Sequence, residues 1–540
     1  MRVSALVYLL TVMRMKPSMI VSRLSGRRRP PEYAFADNHP MVSPHIAIPD
    51  LDLNPGYLSR FDVEALLSGD FLLINERRVV NQDTWNISDA SHLWNFNLHY
   101  FEWGVALASR WRETGSVCYL DCFKMRVRSW IAACTYPEGD AWHPYTISLR
   151  LINWLIAIDL FDGKIEEDDG FFTAMRESMY RQYRHLLVNQ ETHLRANHWW
   201  ENLKTLAIMS AAFGEQDVHE KVMRSLEGQL CEQILPDGVH FERSLMYHKL
   251  VLEGLLRVFV ASQWLQFKLP DSFVLKVKSM LDAMASLERG MGKTPFFNDS
   301  ADGVAKECGP LTAACGCLLG MEADDAKTTF PDAGYYKLYD GDVAVMLDAG
   351  EPGPSYMLGH AHCDCLSFEL SYKGKPVIVN SGTYAYQSEL RSYFRSTAAH
   401  NTCVVDGEEQ LECWGEHRVA RGYRNAKVEK LGTSRAVAAM TMRSGTRIHR
   451  EVSLCRNGCT VSDRVVSARR HIPVESSFHF VASADDVSVS SISAVREERC
   501  PYSREFGLLG DARVFKVTGA DVATTKIEFG ESHEQDFLSR

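Results

Sequence analysis

From about residue 90 to residue 325, apolar residues recur at helical spacing. Ser148-Leu-Arg-Leu-Ile-Asn-Trp-Leu-Ile-Ala-Ile-Asp-Leu160 is one such segment, and Val251-Leu-Glu-Gly-Leu-Leu-Arg-Val-Phe-Val-Ala261 is another. Several segments of this length with few strand signals between them predict a helical domain of paired hairpins. Near Pro331-Asp-Ala-Gly334 the pattern changes. Val343-Ala-Val-Met-Leu347, Ser367-Phe-Glu-Leu-Ser-Tyr372 and Val377-Ile-Val379 are short, β-rich and bounded by Gly, Pro or Asp. Cys403-Val-Val405, Glu451-Val-Ser-Leu454, Ser476-Ser-Phe-His-Phe-Val481 and Val514-Phe-Lys-Val-Thr518 continue the pattern, which predicts an antiparallel β-sandwich. At 540 residues the chain is too long for one core. It divides into an N-terminal helix and extended lead-in over 1–50, a helical domain over 51–330 and a β domain over 331–540.

The run Ala5-Leu-Val-Tyr-Leu-Leu-Thr-Val-Met13 has the length of a signal-peptide core, but Arg14 and Lys16 follow it at once and no small-x-small cleavage site appears. It falls short of the ~20 residues that span a membrane and reads as an amphipathic first helix. Residues 24–50 are basic and then proline-bearing, which predicts extended chain. The net charge of −10 leaves no basic footprint for nucleic acid, so any polyanionic ligand must meet a local basic patch. The fourteen cysteines do not form a dense disulfide framework and read mainly as buried thiols, which leans towards a reducing compartment.

Polar chemistry gathers in a few places. Asn197-His198-Trp199-Trp200-Glu201-Asn202 lies in helical sequence, where two tryptophans can stack a sugar ring while amide and imidazole meet a carboxylate. The same residues would also suit a helix packed by its tryptophans. After the turn at Asp237-Gly238, a helix is expected to carry Glu242, Arg243, Tyr247 and His248 in its first turns, with Tyr247 a candidate proton donor or acceptor. His360-Ala-His-Cys-Asp364 reads as extended chain with His360, His362 and Asp364 on one side. His362 and His400 are candidate ligands of a divalent metal, with Asn380 or Asp364 contributing. Nearby Arg391, Tyr393 and Arg395 offer cations and a phenol to an anionic substrate. The aromatic stretch Trp94-Asn-Phe-Asn-Leu-His-Tyr-Phe-Glu-Trp103 and Trp142-His-Pro-Tyr145 look like sugar platforms, although a helical core would use them equally well. Phosphate-binding glycine loops, a Gly-x-Ser-x-Gly elbow and CxxC pairs are missing, which moves nucleotide enzymes and serine hydrolases out of the front rank.

Taken together, Leu93-Trp-Asn-Phe-Asn-Leu-His-Tyr100, Ser148-Leu-Arg-Leu-Ile-Asn-Trp154, Asn197-His198, Phe241-Glu-Arg-Ser-Leu-Met-Tyr-His248, His360-Ala-His-Cys-Asp364, Ser381-Gly-Thr-Tyr384 and Ala399-His-Asn-Thr402 resemble the heparinase II/III family of polysaccharide lyases. The resemblance runs from about Leu93 to about Gly407. It implies an α+β multidomain fold, an incomplete (α/α) toroid followed by an antiparallel β-sandwich. It also implies eliminative cleavage of a uronic-acid polysaccharide, either a glycosaminoglycan or a bacterial exopolysaccharide. Asn197 and His198 would neutralise the uronate and Tyr247 would be the acid. His360 would be the base, with Tyr393 an alternative. Substrate contacts are expected from Trp94, Asn97, His99, Arg150, Trp199, Glu201, Arg243, Arg391 and Arg395. Relatives that carry a structural zinc hold it by His, Asp and His. The matching residues are His362, Asn380 and His400, so an amide replaces the carboxylate. A lyase for a secreted polymer is expected in the periplasm or outside the cell, whereas the N-terminus makes a poor export signal.

Two other classes fit parts of the pattern. A glycoside hydrolase would draw paired carboxylates from Glu201, Glu242 and Asp299. A polysaccharide-binding protein would keep the cleft without turnover.

Overall fold

Pro144–Leu160, Ala196–Ala212 and Leu245–Trp264 are buried on nearly every side, whereas the helices between them are buried on one. In Gln216–Gln233 the buried residues are His219, Val222, Met223, Leu226, Gln229, Leu230 and Gln233, a single helical stripe. The difference separates two layers. Glu102–Thr114, Pro144–Leu160, Ala196–Ala212, Leu245–Trp264 and Cys308–Leu319 pack one against the next as an inner ring. Val117–Ala133, Asp169–Val188, Gln216–Gln233 and Asp271–Glu288 lie outside them. This is an incomplete α/α toroid. The computed structural model describes residues 4–26, 41, 45–81, 84–468, 471–482, 484 and 486–530.

The C-terminal part is an antiparallel sandwich. Its larger sheet runs from Ala494–Glu505 through Leu508–Ala520, Pro473–Phe480, Lys375–Ile378, Phe368–Tyr372, Val343–Asp348 and Tyr335–Asp340 to Thr329–Phe330. The second sheet runs from Arg424–Leu431 through Arg435–Thr441, Arg447–Cys455, Gly458–Val466 and Val522–Phe529 to Val487–Ser491. Strand Arg447–Cys455 alternates buried and solvated positions with period two. Its Ile448 and Val452 join Val461 and Ile527 in meeting Phe368, Leu370 and Phe478 of the other sheet. Toroid and sandwich share a further apolar cluster, in which Leu245 and Leu287 meet Phe330, Tyr335 and Met346.

Several local expectations are corrected. Two helices, Ala5–Arg14 and Pro17–Leu24, replace the single N-terminal helix, because Pro17 has no N–H to continue the first. Most of the extended lead-in, residues 27–40 and 42–44, lies outside the described residues. The helix carrying Tyr247 begins at Leu245, with Ser244 as its cap. Glu242 and Arg243 precede it, since Arg243 has a φ of 55°, which a helix interior does not accommodate. The His360–Asp364 segment is an irregular loop rather than a strand. Its backbone amides bond outside any ladder, His362 N to Asn298 Oδ1 at 3.0 Å and Cys363 N to Arg395 O at 3.0 Å. All fourteen cysteines are free thiols, seven of them buried, so burial accounts for only half.

The strands flanking the His360 loop are braced by Arg450, whose guanidinium forms a two-toothed pair with Asp463 at 2.8 and 2.7 Å and bonds the carbonyls of Leu366 and Asn401. Both partners are buried. Asp463→Asn is expected to leave a buried cation unpaired and to cost about 3–5 kcal/mol in urea unfolding, as broken buried ion pairs do.

Candidate active site

The first turns of Ala196–Ala212 and Leu245–Trp264 line the same cleft, of about 1190 Å³, which His360, Tyr386 and His417 of the β domain enclose from the other side. Two helix N-termini therefore direct their positive ends at one space. Asn197 donates from Nδ2 to the Tyr145 hydroxyl at 3.1 Å, while its Oδ1 has no partner. The Tyr145 ring lies 4.6 Å from that of His198. His198 Nδ1 donates to Glu191 at 2.9 Å, and Glu191 is also held by Asn202 Nδ2 at 3.2 Å. Burial alone would lower the His198 pKa, but the carboxylates of Glu191, Glu242 and Glu201 outweigh it and hold the imidazole above its usual value. For Glu191, burial opposes ionisation, yet His198 and His143 bring its pKa down to about 2. These carboxylates thus favour the imidazolium form of His198 where it faces the cleft.

Tyr247 stands on the toroid wall, and its hydroxyl is 2.9 Å from that of Tyr386 across the cleft, while its ring centre is 4.4 Å from that of His360. Burial, with Tyr386 and Asp299 next, raises the Tyr247 phenol well above its usual pKa, so it stays protonated. His360 Nδ1 donates to Asp299 Oδ2 at 2.9 Å, which leaves Nε2 free towards the cleft and 3.9 Å from Glu242. Asp299 is fully buried and also accepts from His362 Nε2 at 2.9 Å and from both terminal nitrogens of Arg391, one of them at 2.8 Å. Burial works against its charge, but Arg391, His360 and His362 keep its pKa well below the carboxylate range.

The expected contact residues divide. Asn97 and Glu201 line the cleft with Asn197, His198, Tyr247 and His360. Trp94 is buried in the helical core and donates to Glu76 O at 2.9 Å, and His99 beside it accepts from Trp130 at 3.2 Å. Arg150 is buried under Trp130 and spends its guanidinium on Gln182, His99 O and Ala141 O. Trp199 donates to Gln190 and lies beneath Arg195, outside the cleft lining. Arg243 and Arg395 are buried and tie backbone carbonyls, of Asp332 and of Ala361 and Glu416. Arg391 serves Asp299. Tyr393, two residues on in Arg391–Phe394, faces the other way and packs with Cys500 and Val514. Thus the arginines expected to meet an anion instead hold the loops that shape the cleft. Sequence reasoning missed Glu191, Tyr386 and His417. Tyr386 stood two residues beyond a quoted motif, but Glu191 and His417 reach the site through loops that carry no local signal.

Asp299, His360 and His417 bring one ligand atom each within 4.8 Å of one another, a spacing that a metal ion can bridge. The expected ligands His362, Asn380 and His400 also converge. Their rings lie 5.2 Å apart, and Nδ1 of His362 and Nε2 of His400 are buried without partners. However, Asn380 brings no charge, and its Oδ1 already accepts from Ser367 at 2.7 Å and faces His400 Nδ1 at 3.2 Å. Two imidazoles and an occupied amide do not fit a closed zinc site, which needs four donors and gains from an anionic one.

An α/α toroid joined to an antiparallel sandwich, with imidazole, amide and phenol meeting in the cleft between them, defines the class by its architecture. Residues 63–308 match the family described as Heparinase II/III N-terminus, and residues 323–520 match Heparinase II/III-like, C-terminal. The chain belongs to the heparinase II/III family. It is 23% identical over 368 residues to a heparin-sulfate lyase of Pedobacter heparinus, over 62% of this chain and 54% of that protein. A heparin-sulfate lyase of Bacteroides thetaiotaomicron is 23% identical over 391 residues, 62% of this chain and 55% of that one. The chain therefore spans about half the length of the curated relatives it matches. The crystal structure of heparinase III shares the fold, with a TM-score of 0.70 at 16% identity over 97% of this chain and 89% of that chain.

The Glu191–His198 pair has a definite pH window. The raised His198 contributes stability that is complete below the usual imidazole pKa and is lost as pH rises through its elevated value. The depressed Glu191 contributes stability present above its usual range and lost as pH falls towards about 2. In Glu191→Gln, the NMR titration midpoint of His198 is expected to fall below that of the native chain.

Proposed function

We propose that this chain is a polysaccharide lyase that cleaves a uronic-acid-containing acidic polysaccharide by β-elimination. The carrying observation is the meeting, in one cleft, of His198, paired with Glu191 and beside Asn197, with Tyr247 beside His360, whose Nε2 faces the cleft. A uronate carboxylate set against His198 and the Asn197 amide loses its charge, which stabilises the enolate-like transition state formed as C5 gives up its hydrogen. His360 Nε2, with Nδ1 held by Asp299, takes that proton, and the Tyr247 phenol delivers one to the departing O4. Tyr386, bonded to Tyr247, fixes the direction of its hydroxyl. The heparin-sulfate lyase names of the two curated relatives favour a glycosaminoglycan or a polymer of similar chemistry. No step is routed through a metal.

A hydrolase reading has less to stand on. Asp299 is spent on Arg391 and two histidines, and Glu201 is paired with Lys204. Glu242 alone, with its pKa raised by burial, would suit a general acid.

With a panel of uronic-acid polymers, the ultraviolet absorbance of a conjugated unsaturated uronate is expected to rise for at least one. Tyr247→Phe and His360→Ala should each lower kcat by about 10²–10⁴. New reducing ends without that absorbance would sink elimination and bring Glu242 forward. For zinc, Asn380→Asp is expected to create affinity where the native chain has little. Added zinc should raise Tm more in the variant than in the native chain, as read by calorimetry.

A further inference from the structure

The helix Ala5–Arg14 has no buried residue, although almost all its side chains are apolar. Its inner stripe docks on the sandwich. Thr11 Oγ1 accepts from Trp414 Nε1 at 3.0 Å, Arg14 Nε donates to Ala420 O at 2.8 Å, and the Tyr8 ring lies 5.0 Å from Trp414. The outer stripe should then be polar, as on other surface helices. Instead Leu6, Leu9 and Met13, spaced as one helical face, are 54%, 56% and 71% exposed. The second helix, Pro17–Leu24, meets the first at 107° and adds Val21 at 67% and Leu24 at 82%.

Charge singles out the same segment. Residues 1–31 hold Arg2, Arg14, Lys16, Arg23, Arg27, Arg28 and Arg29 and no acidic residue, in a chain of net charge −10. Arg2 and Arg27–Arg29 lie outside the described residues and count here only as sequence. No single helix among the described residues is long and apolar enough to cross a membrane. Apolar side chains facing outwards, on helices too short to span, in a stretch of sequence that carries cations and no acid, are the pattern of a segment that lies in a bilayer surface.

We propose that the outer face of this helix pair seats the protein on an anionic lipid surface. The area favours lipid over a second copy of the chain. A ten-residue helix is about 15 Å long, so the two outer stripes together offer a few hundred Å² at most, against roughly 800 Å² per partner in a stable protein interface. Insertion of a few apolar side chains beside cations needs no such area. The position of the pair matters for the cleft. Lys16 and Arg195 share Glu232, and Ser22 is 2.6 Å from Thr192, so the second helix braces the loop that leads to Asn197 and His198. Arg195 and Arg418, at the two docking points, line the cleft. Membrane seating would hold the cleft mouth near the lipid surface. The inference is independent of the reaction carried out inside the cleft.

The test is flotation of the full chain with vesicles of phosphatidylglycerol and phosphatidylcholine, and with vesicles of phosphatidylcholine alone, at low and high salt. Binding to the anionic vesicles only, weakened by salt, is the expected result. The combined variant Leu6→Glu, Leu9→Glu and Met13→Glu should bind at least roughly tenfold more weakly, with Tm and turnover of soluble polymer unchanged. Met13→Glu alone, at the most exposed of the three positions, should show a smaller loss and guards against misfolding of the triple variant. Absence of flotation with anionic vesicles, or equal flotation of native chain and folded variants, overturns the proposal. So does a dimer in sedimentation that the Met13→Glu variant abolishes, since that would assign the face to a second copy.

Discussion

The site depends on one buried carboxylate. Asp299 lies in the segment that leaves the outer helix Asp271–Glu288, yet its partners all come from the β domain: Arg391, His360, His362 and, at 3.4 Å, Thr383. Neighbouring residues repeat the arrangement. Asn298 N donates to Asp364 at 2.7 Å, Phe296 N to Glu369 at 2.9 Å, and Asp302 accepts from Arg504 Nε at 2.7 Å. The segment 296–302 is thus a polar seam between toroid and sandwich. An unpaired charge buried there would be costly, so the geometry has little freedom. That rigidity is transmitted to His360, whose tautomer and direction are set by the bond to Asp299.

The cleft works because its two walls come from different kinds of scaffold. The toroid supplies a cation and an amide at helix N-termini, where the backbone dipole adds to the field. The first turn of Leu245–Trp264 adds the Tyr247 phenol, and the sandwich supplies the His360 imidazole and the Tyr386 hydroxyl from loops, whose irregular backbone can aim side chains that a strand would send to alternating faces. Opposed protonation states follow from these surroundings. The buried Glu191 raises the pKa of His198 and favours its charged form, while burial beside Tyr386 raises that of Tyr247 and keeps its proton. Separation of this kind suits acid and base work near neutral pH.

Arginine shows where residue type misleads. Arg150, Arg243, Arg391 and Arg395 are all buried, and each spends its guanidinium on carbonyls or on Asp299. A planar group with five donors suits an anionic substrate, but it is equally suited to stitching loops whose carbonyls would otherwise be orphaned. Nothing in sequence separates the two uses, because the choice depends on whether the guanidinium points into a cleft or into a seam. The tryptophans behave alike: Trp94 and Trp200 fill the core.

What the sequence determined by itself was the architecture and which residue types meet in the candidate cleft. Period-3.6 patterning up to about residue 325 and period-two patterning after it reflect which faces must leave water, so the order of toroid and sandwich was legible. Asn197, His198, Tyr247 and His360 were legible too, because each sits in a short run of unusual composition. The tertiary structure decided the rest. Tyr386 and His417 join the site across long sequence separations, through contacts that exist only once the two domains close on each other, while Glu191 reaches His198 seven residues on through a loop that carries no local signal. The carboxylates gathered around His198 and the burial of Tyr247 then raise the pKa of each group, and both causes belong to the packed molecule rather than to any stretch of chain.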